Sequence, residues 1–215
     1  MERSINGRAL PLDGREMKAF SSYMRWLSTG IPDGAKLQGA GTLRIKEPDR
    51  AADPARGAEI YAKTCAACHG VDGSGQRAQT GLGYQFPPLW GPDSYNNGAG
   101  MSRLLTAAGF ALHNMPLGTR FDSPLLADDE AYDVAAYMVI QKRPEKASLE
   151  KDYPIRLQKP IDSPYGPYAD GFPAEQHKLG PFGPIRTRVR ELASGSRAAH
   201  AGGADDVAHR ADDMR

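Results

Sequence analysis

Cys65-Ala66-Ala67-Cys68-His69 decides how this chain is read. Two thiols three positions apart at a helix end can each add to a vinyl group of one haem. The histidine next in line then reaches the iron from the same side, which is the pattern of c-type haem attachment. Two rivals fit less well. A structural zinc site wants four ligands, and the folded part offers two cysteines, one adjacent histidine and His113 as a spare. A thioredoxin-like pair needs a strand before the motif and a helix after it, whereas a helix precedes this one and glycine loops follow. Cys65 and Cys68 are therefore expected to anchor one covalent haem c, and His69 to be the proximal iron ligand.

Just upstream, Asp53-Pro54 opens a helix over roughly 54–65 carrying Ile60 and Tyr61, with proline where a missing N–H costs nothing. Downstream, residues 70–115 are dense in turn formers, apart from an expected helix from Met101 to Leu112. An iron that passes electrons without binding substrate needs a second axial group, and the candidates are Met101, Met115, Met138, His113 and the lysines. Met101 and Met138 lie on or near apolar helix stripes, where core filling is their role. Met115 leaves a helix at Asn114 and precedes Pro116, so an irregular loop presents its thioether; it is the expected ligand, with His113 as the alternative. His/Met ligation favours the ferrous state. A carbonyl from Pro87, Pro88 or Leu89 is placed to take the imidazole N–H of His69 and fix its tautomer. Tyr84 and Trp90 line the crevice or simply pack.

The remaining chain frames this centre. Asp13, with Glu16 three residues on, reads as the cap of a first helix whose stripe is Met17, Phe20, Met24 and Leu27, ended by Gly30 and Pro32. Residues 32–54 read as a connector. A closing helix begins after Pro124 with Asp128 as its expected cap, and carries Tyr132, Ala135, Ala136 and Val139 toward Pro144. From Pro144 to Ile185 eight prolines alternate with Tyr153, Tyr165, Tyr168, Phe172 and Phe182, which suits extended chain laid over a folded surface. His177, His200 and His209 are expected in solvent, and the residues beyond Leu192 are expected to be disordered.

Composition narrows the function classes. The 215 residues carry 27 basic and 26 acidic side chains, a formal charge of +1, so there is no field for nucleic acid or anionic lipid. No apolar run is long enough for a membrane helix, and Met1 to Leu10 lacks the apolar stretch of an export signal. Residues 53–146 hold ten acidic and eight basic groups, so a redox partner protein would dock on a local patch rather than on bulk charge.

Helix, C-x-x-C-H, HGxDGxG loop, Pro-Leu segment, loop methionine before proline and closing helix together resemble a class I cytochrome c domain, matched by about 53–144. More closely, CAACHGVDGSGQ, QFPPLWGPDSYNNGAGM, HNMPLG and DYPIRLQKPIDSPYGPYADGF look like the C-terminal half of diheme cytochromes of the thiosulfate dehydrogenase family. The resemblance implies an all-α class I cytochrome c fold with an extra N-terminal helix and a Pro-rich extended C-terminal tail. It also implies a periplasmic setting, tetrathionate-forming chemistry at one haem, and electron exit at the haem of Cys65, Cys68, His69 and Met115. This chain has no second C-x-x-C-H, so no catalytic residue is assigned and a carrier role is favoured over enzyme activity. Leu12 to Met24 matches Leu126 to Met138 at Leu, Glu, Tyr and Met with one offset of 114. Hence residues 1–31 are expected to be the closing helix of a missing cytochrome domain. The expected order continues with a linker at 32–52, the haem domain at 53–146, a wrapping extension at 147–190 and a disordered tail at 191–215. The stripe of the first helix then has no partner, and weak self-association is expected.

Overall fold

Asp53 and Pro54 start the helix that leads into the cysteines. The Asp53 carboxylate accepts from the amides of Ala55 at 2.9 Å and Arg56 at 3.2 Å, and Pro54 sits in the first turn. The computed structural model describes residues 10–35 and 43–195. Its helices in chain order are α1 (Arg15–Leu27), α2 (Pro54–Thr64), α3 (Ala66–His69), α4 (Leu104–Asn114), α5 (Asp128–Val139), α6 (Ala174–Leu179) and α7 over residues 182–195. Short 3₁₀ turns cover Gly100–Ser102, Leu149–Lys151 and Arg156–Gln158. One small antiparallel hairpin pairs β1 (Gln76–Arg77) with β2 (Tyr84–Phe86), where the sequence predicts only loop.

The core is a helix crossing. α2 and α5 approach so closely at Gly57 that a Cβ there would overlap the Asp133 carbonyl, which is why this position has no side chain. Beside the crossing, the rings of Tyr61, Tyr137 and Trp90 form a triangle with centroids 4.9, 5.5 and 5.6 Å apart. α4 packs on the other side of α5, burying Leu104, Ala107, Ala108 and Leu112 with Ala131, Val134, Ala135 and Met138 of α5. Small residues dominate this seam and let the two backbones come close.

Asp133 fills the crossing electrostatically. Its buried carboxylate accepts two bonds from Arg50, at 2.7 and 2.8 Å, one from Arg56 at 2.7 Å and one from the Asp53 amide at 2.9 Å. Burial pushes the Asp133 carboxyl up, but the bonds from Arg50 and the Asp53 amide outweigh it and hold it below its ordinary range. A buried carboxylate satisfied this fully costs the fold little and leaves a large penalty if its partners go.

Several expectations change. α1 is capped by Gly14 with no side-chain bond, not by Asp13, because Asp13 lies in the preceding turn. α5 begins on Ala127, whose amide donates to Glu130 Oε2 at 2.9 Å, so Asp128 is its first residue rather than its cap. The helix expected from Met101 starts at Leu104, after the 3₁₀ turn. The tail is not extended throughout, since it forms α6 and α7, and residues 191–195, within the tail expected to be disordered, are helical. His200 and His209 lie outside the described residues.

The tail is tied down by backbone and buried rings. Ala52 N donates to Leu179 O at 2.8 Å, the Tyr132 hydroxyl donates to the same oxygen at 3.3 Å, and Phe182 and Ile185 are fully buried. His177, expected in solvent, is buried. Its Nδ1 bonds to the Ile161 carbonyl at 2.7 Å, its Nε2 meets Asp170 at 3.1 Å, and its ring stacks on Tyr168 at 3.6 Å. Lys159 is also buried, over the Tyr165 ring at 4.4 Å, and burial, with help from Arg156, pushes its ammonium down to about 8. By contrast α1 buries nothing: Phe20 is 60% exposed and Trp26 68%.

Two expected outcomes follow from the crossing. Gly57→Ala forces α2 and α5 apart and should cost about 2 to 3 kcal/mol, read from denaturant unfolding. The Asp133 carboxyl titrates lower when folded than its ordinary unfolded value of about 3.9. Its contribution is therefore complete above that value and lost as pH falls through the folded one. Acid unfolding of Asp133→Asn should lack this component of the pH dependence.

Candidate functional site

α2 delivers Cys65 directly from its C-terminal end. Cys65 N donates to Tyr61 O at 2.9 Å, and the single turn of α3 then carries Cys68 and His69. The turn ends at Gly70, whose carbonyl takes the Tyr61 hydroxyl at 2.7 Å. Burial pushes the Tyr61 hydroxyl well up, so it stays a donor and ties the helix crossing to the loop after His69.

His69 is oriented as the sequence predicts. Its Nδ1 lies 2.8 Å from the Pro87 carbonyl oxygen. A carbonyl only accepts, so Nδ1 is the donor in this contact, and Nε2 takes no part in it. The loop that allows this turns at Gly75, where φ is +74° and a Cβ would overlap the Phe86 carbonyl. Gly75 N donates to His69 O at 2.9 Å, and Leu89 N to Gly73 O at 2.8 Å, so residues 69–75 and 86–89 run against each other. Gln76, read in the sequence as part of a turn, donates from Nε2 to the Ala67 carbonyl at 2.9 Å. Gly75 is the last glycine of the HGxDGxG loop, but no periodicity or motif in the sequence marks Gln76 or the Tyr61 hydroxyl for these roles.

The thiols suit covalent capture. Cys65 and Cys68 form no disulfide and both are half-buried. Burial pushes the Cys65 thiol up, against a weaker pull from the Thr64 hydroxyl, so it stays protonated. A redox thiol of the thioredoxin kind is stabilised as thiolate, and Cys65 is held the opposite way. Among the described residues no group of three or more His, Cys, Asp and Glu is placed to hold a bare metal ion, which disfavours the zinc reading.

The axial candidates separate. Met115 caps α4 in extended backbone, half-buried, with Pro116 next. His113, on the last turn of α4, turns Nε2 toward the Arg44 carbonyl at 3.3 Å, while its Nδ1 is buried without a partner among the described residues. Met138 is core, and Met101 packs against that core. Trp90 belongs to the aromatic triangle, and the Tyr84 hydroxyl donates to Asp93 at 2.7 Å under the Arg77 guanidinium. Val71 and Leu117, each two residues beyond a candidate ligand, are exposed at 84% and 81%. Two thiols, an imidazole with a free Nε2 and a loop thioether are a donor set that fits haem c.

Comparison with known proteins bears on this site. The family model for cytochrome c matches residues 54–141. The thiosulfate dehydrogenase of Allochromatium vinosum is 50% identical over 145 residues, 66% of this chain and 51% of the relative. That of Stutzerimonas stutzeri is 47% identical over 146 residues, 68% of this chain and 46% of the relative. A solved thiosulfate dehydrogenase (TsdBA) from Marichromatium purpuratum superposes with a TM-score of 0.59 at 42% identity, covering 67% of this chain and 30% of the other. The chain spans about half the length of the curated relatives it matches.

Gly75→Ala tests the loop. The added methyl strains a left-handed backbone and pushes residues 86–88 away, so the His69–Pro87 bond should break. The expected outcome is a loss of about 2 kcal/mol of stability together with loss of the fixed Nδ1–H tautomer of His69 in the nitrogen NMR spectrum.

Proposed function

We propose, on the premise that residues 54–141 are a cytochrome c domain related to the thiosulfate dehydrogenases, that this chain transfers electrons through one covalent haem c. Cys65 and Cys68 would anchor the haem, and His69 and Met115 would supply the two protein ligands to its iron. The observation that carries the reading is the Pro87 carbonyl on Nδ1 of His69, because it fixes the imidazole from that side and leaves Nε2 out of the bond. Haem supplies a one-electron ferric/ferrous couple when bound. The residues do the rest: Pro87 holds the proton on Nδ1, the Tyr61 hydroxyl holds Gly70, and α4 presents Met115 from its C-terminal end. A thioether adds no charge and raises the preference for ferrous iron, so the site accepts electrons readily.

A redox partner protein, another cytochrome or an oxidase, is the proposed exchange partner, on a small, short-lived contact. Among the described residues no helix is long and apolar enough to cross a membrane. The periplasm is the proposed compartment, in keeping with c-type attachment. Their name supports a second reading, in which this domain is the electron-exit unit of a tetrathionate-forming thiosulfate dehydrogenase. Both cysteines are taken by the haem, so the chemistry on sulfur would fall to another centre. The repeat supports the same view. α5 closes on α2, while its match α1 keeps its apolar side chains exposed, as the closing helix of a further cytochrome domain would without its partner. That face also supports weak self-association.

Thiosulfate separates the two readings. Haem-loaded protein mixed with thiosulfate alone should stay ferric and should reduce when a donor cytochrome is added; reduction by thiosulfate alone would make the chain an enzyme. Met115→Ala should abolish the far-red thioether-to-iron charge-transfer band and lower the midpoint potential, whereas His113→Ala should retain both.

A further inference from the structure

We infer that Gln76 is a positioning residue for haem attachment: its side-chain amide fixes the Ala67 carbonyl between the two cysteines, so the β1–β2 hairpin grips α3 at two points. The inference rests on the cytochrome reading and extends it to a residue outside the C-x-x-C-H motif.

α3 has four residues, and one turn does not sustain itself in water. The amides of Cys68 and His69 both bond to Cys65 O, at 3.2 and 3.0 Å, and Gly70 N bonds to Ala66 O at 2.9 Å. The carbonyl of Ala67, which lies between the thiols, is one of the helix-end acceptors with no partner inside the turn. Gln76 Nε2 fills it at 2.9 Å. The amide orientation follows from its partner, since a carbonyl oxygen faces only the donor end of the side chain.

The hairpin explains why this residue does it. Gln76 stands opposite Phe86 in the β1–β2 register, and the residue after Phe86 is Pro87, which holds His69 Nδ1 at 2.8 Å. One strand therefore fixes the peptide between the sulfurs and the other leads to the carbonyl that fixes the imidazole. The spacing between thioethers and iron ligand is set by a single small element. Gln76 is exposed, so core packing does not account for its side-chain geometry. The bond also acts on charge. The N–H end of the Gln76 amide sets a fixed positive dipole end on the motif, and its loss would favour ferric iron in a bound haem.

The test uses the full chain, exported and matured with haem supply limiting, as wild type and as Gln76→Leu, Gln76→Glu and Gln76→Lys. Leucine and glutamate remove the donor; lysine keeps one. Intact mass under denaturing conditions gives the haem-bearing fraction, and redox titration gives the midpoint potential. Leu and Glu should lower the haem-bearing fraction about two- to tenfold, the span of one hydrogen bond, and lower the potential of what is loaded. Lys should bring both back toward wild type, and Arg77→Ala, one position on, should change neither. Wild-type fraction and potential in Leu and Glu would overturn the inference, as would a lowered fraction with no change in potential and no recovery in Lys. A wild-type chain that itself carries no covalent haem would instead overturn the cytochrome reading, and this inference with it.

Discussion

The backbone contact between α2 and α5 at Gly57 is the constraint on which the rest of the structure depends. Because the two helices touch there without a side chain between them, Tyr61 falls against Tyr137 and Trp90, and its hydroxyl reaches the Gly70 carbonyl. The end of α2 is thereby fixed in space, and with it Cys65. Asp133 seals the same crossing by gathering Arg50, Arg56 and the Asp53 amide onto one buried carboxylate. Position of the motif is thus inherited from packing that lies a full helix away.

From that fixed point the site is assembled by hydrogen bonds rather than by burial. Pro87, Gln76, Gly75 and Tyr61 each spend a backbone or side-chain partner on the five-residue motif or its flanks. Such a frame gives rigid orientation while leaving cysteines, imidazole and flanking apolar residues open to a large planar cofactor. Electron transfer rewards this arrangement, since a ligand set that moves little between oxidation states costs little to reorganise. The tail adds a second layer: Phe182 and Ile185 are buried in the core and Asp162 accepts from the Leu105 amide, while the His177–Asp170 pair ties the tail to itself.

Some of this was legible in the sequence, for physical reasons. Asp53-Pro54 is a strong helix start because carboxylate capping and proline geometry act locally. The contact from a carbonyl in the Pro87 to Leu89 stretch followed from the need to fix the imidazole. The hairpin was not legible, since strands of two and three residues between glycines leave no alternation to detect. The tail helices were hidden by their own prolines: Pro173 immediately precedes α6, and Pro181 and Pro184 stand at the start of α7, where proline starts a helix rather than breaks one. His177 gave no signal because its partners, Ile161 and Tyr168, are brought to it by a fold without periodicity.

The most direct measurement is the intact mass of the exported, maturation-competent chain after acid–solvent extraction of non-covalent pigment. The account predicts the polypeptide plus one haem, with the addition lost when Cys65 and Cys68 are both changed to alanine. A mass equal to the bare polypeptide, from cells that attach haem to a control cytochrome, would contradict it.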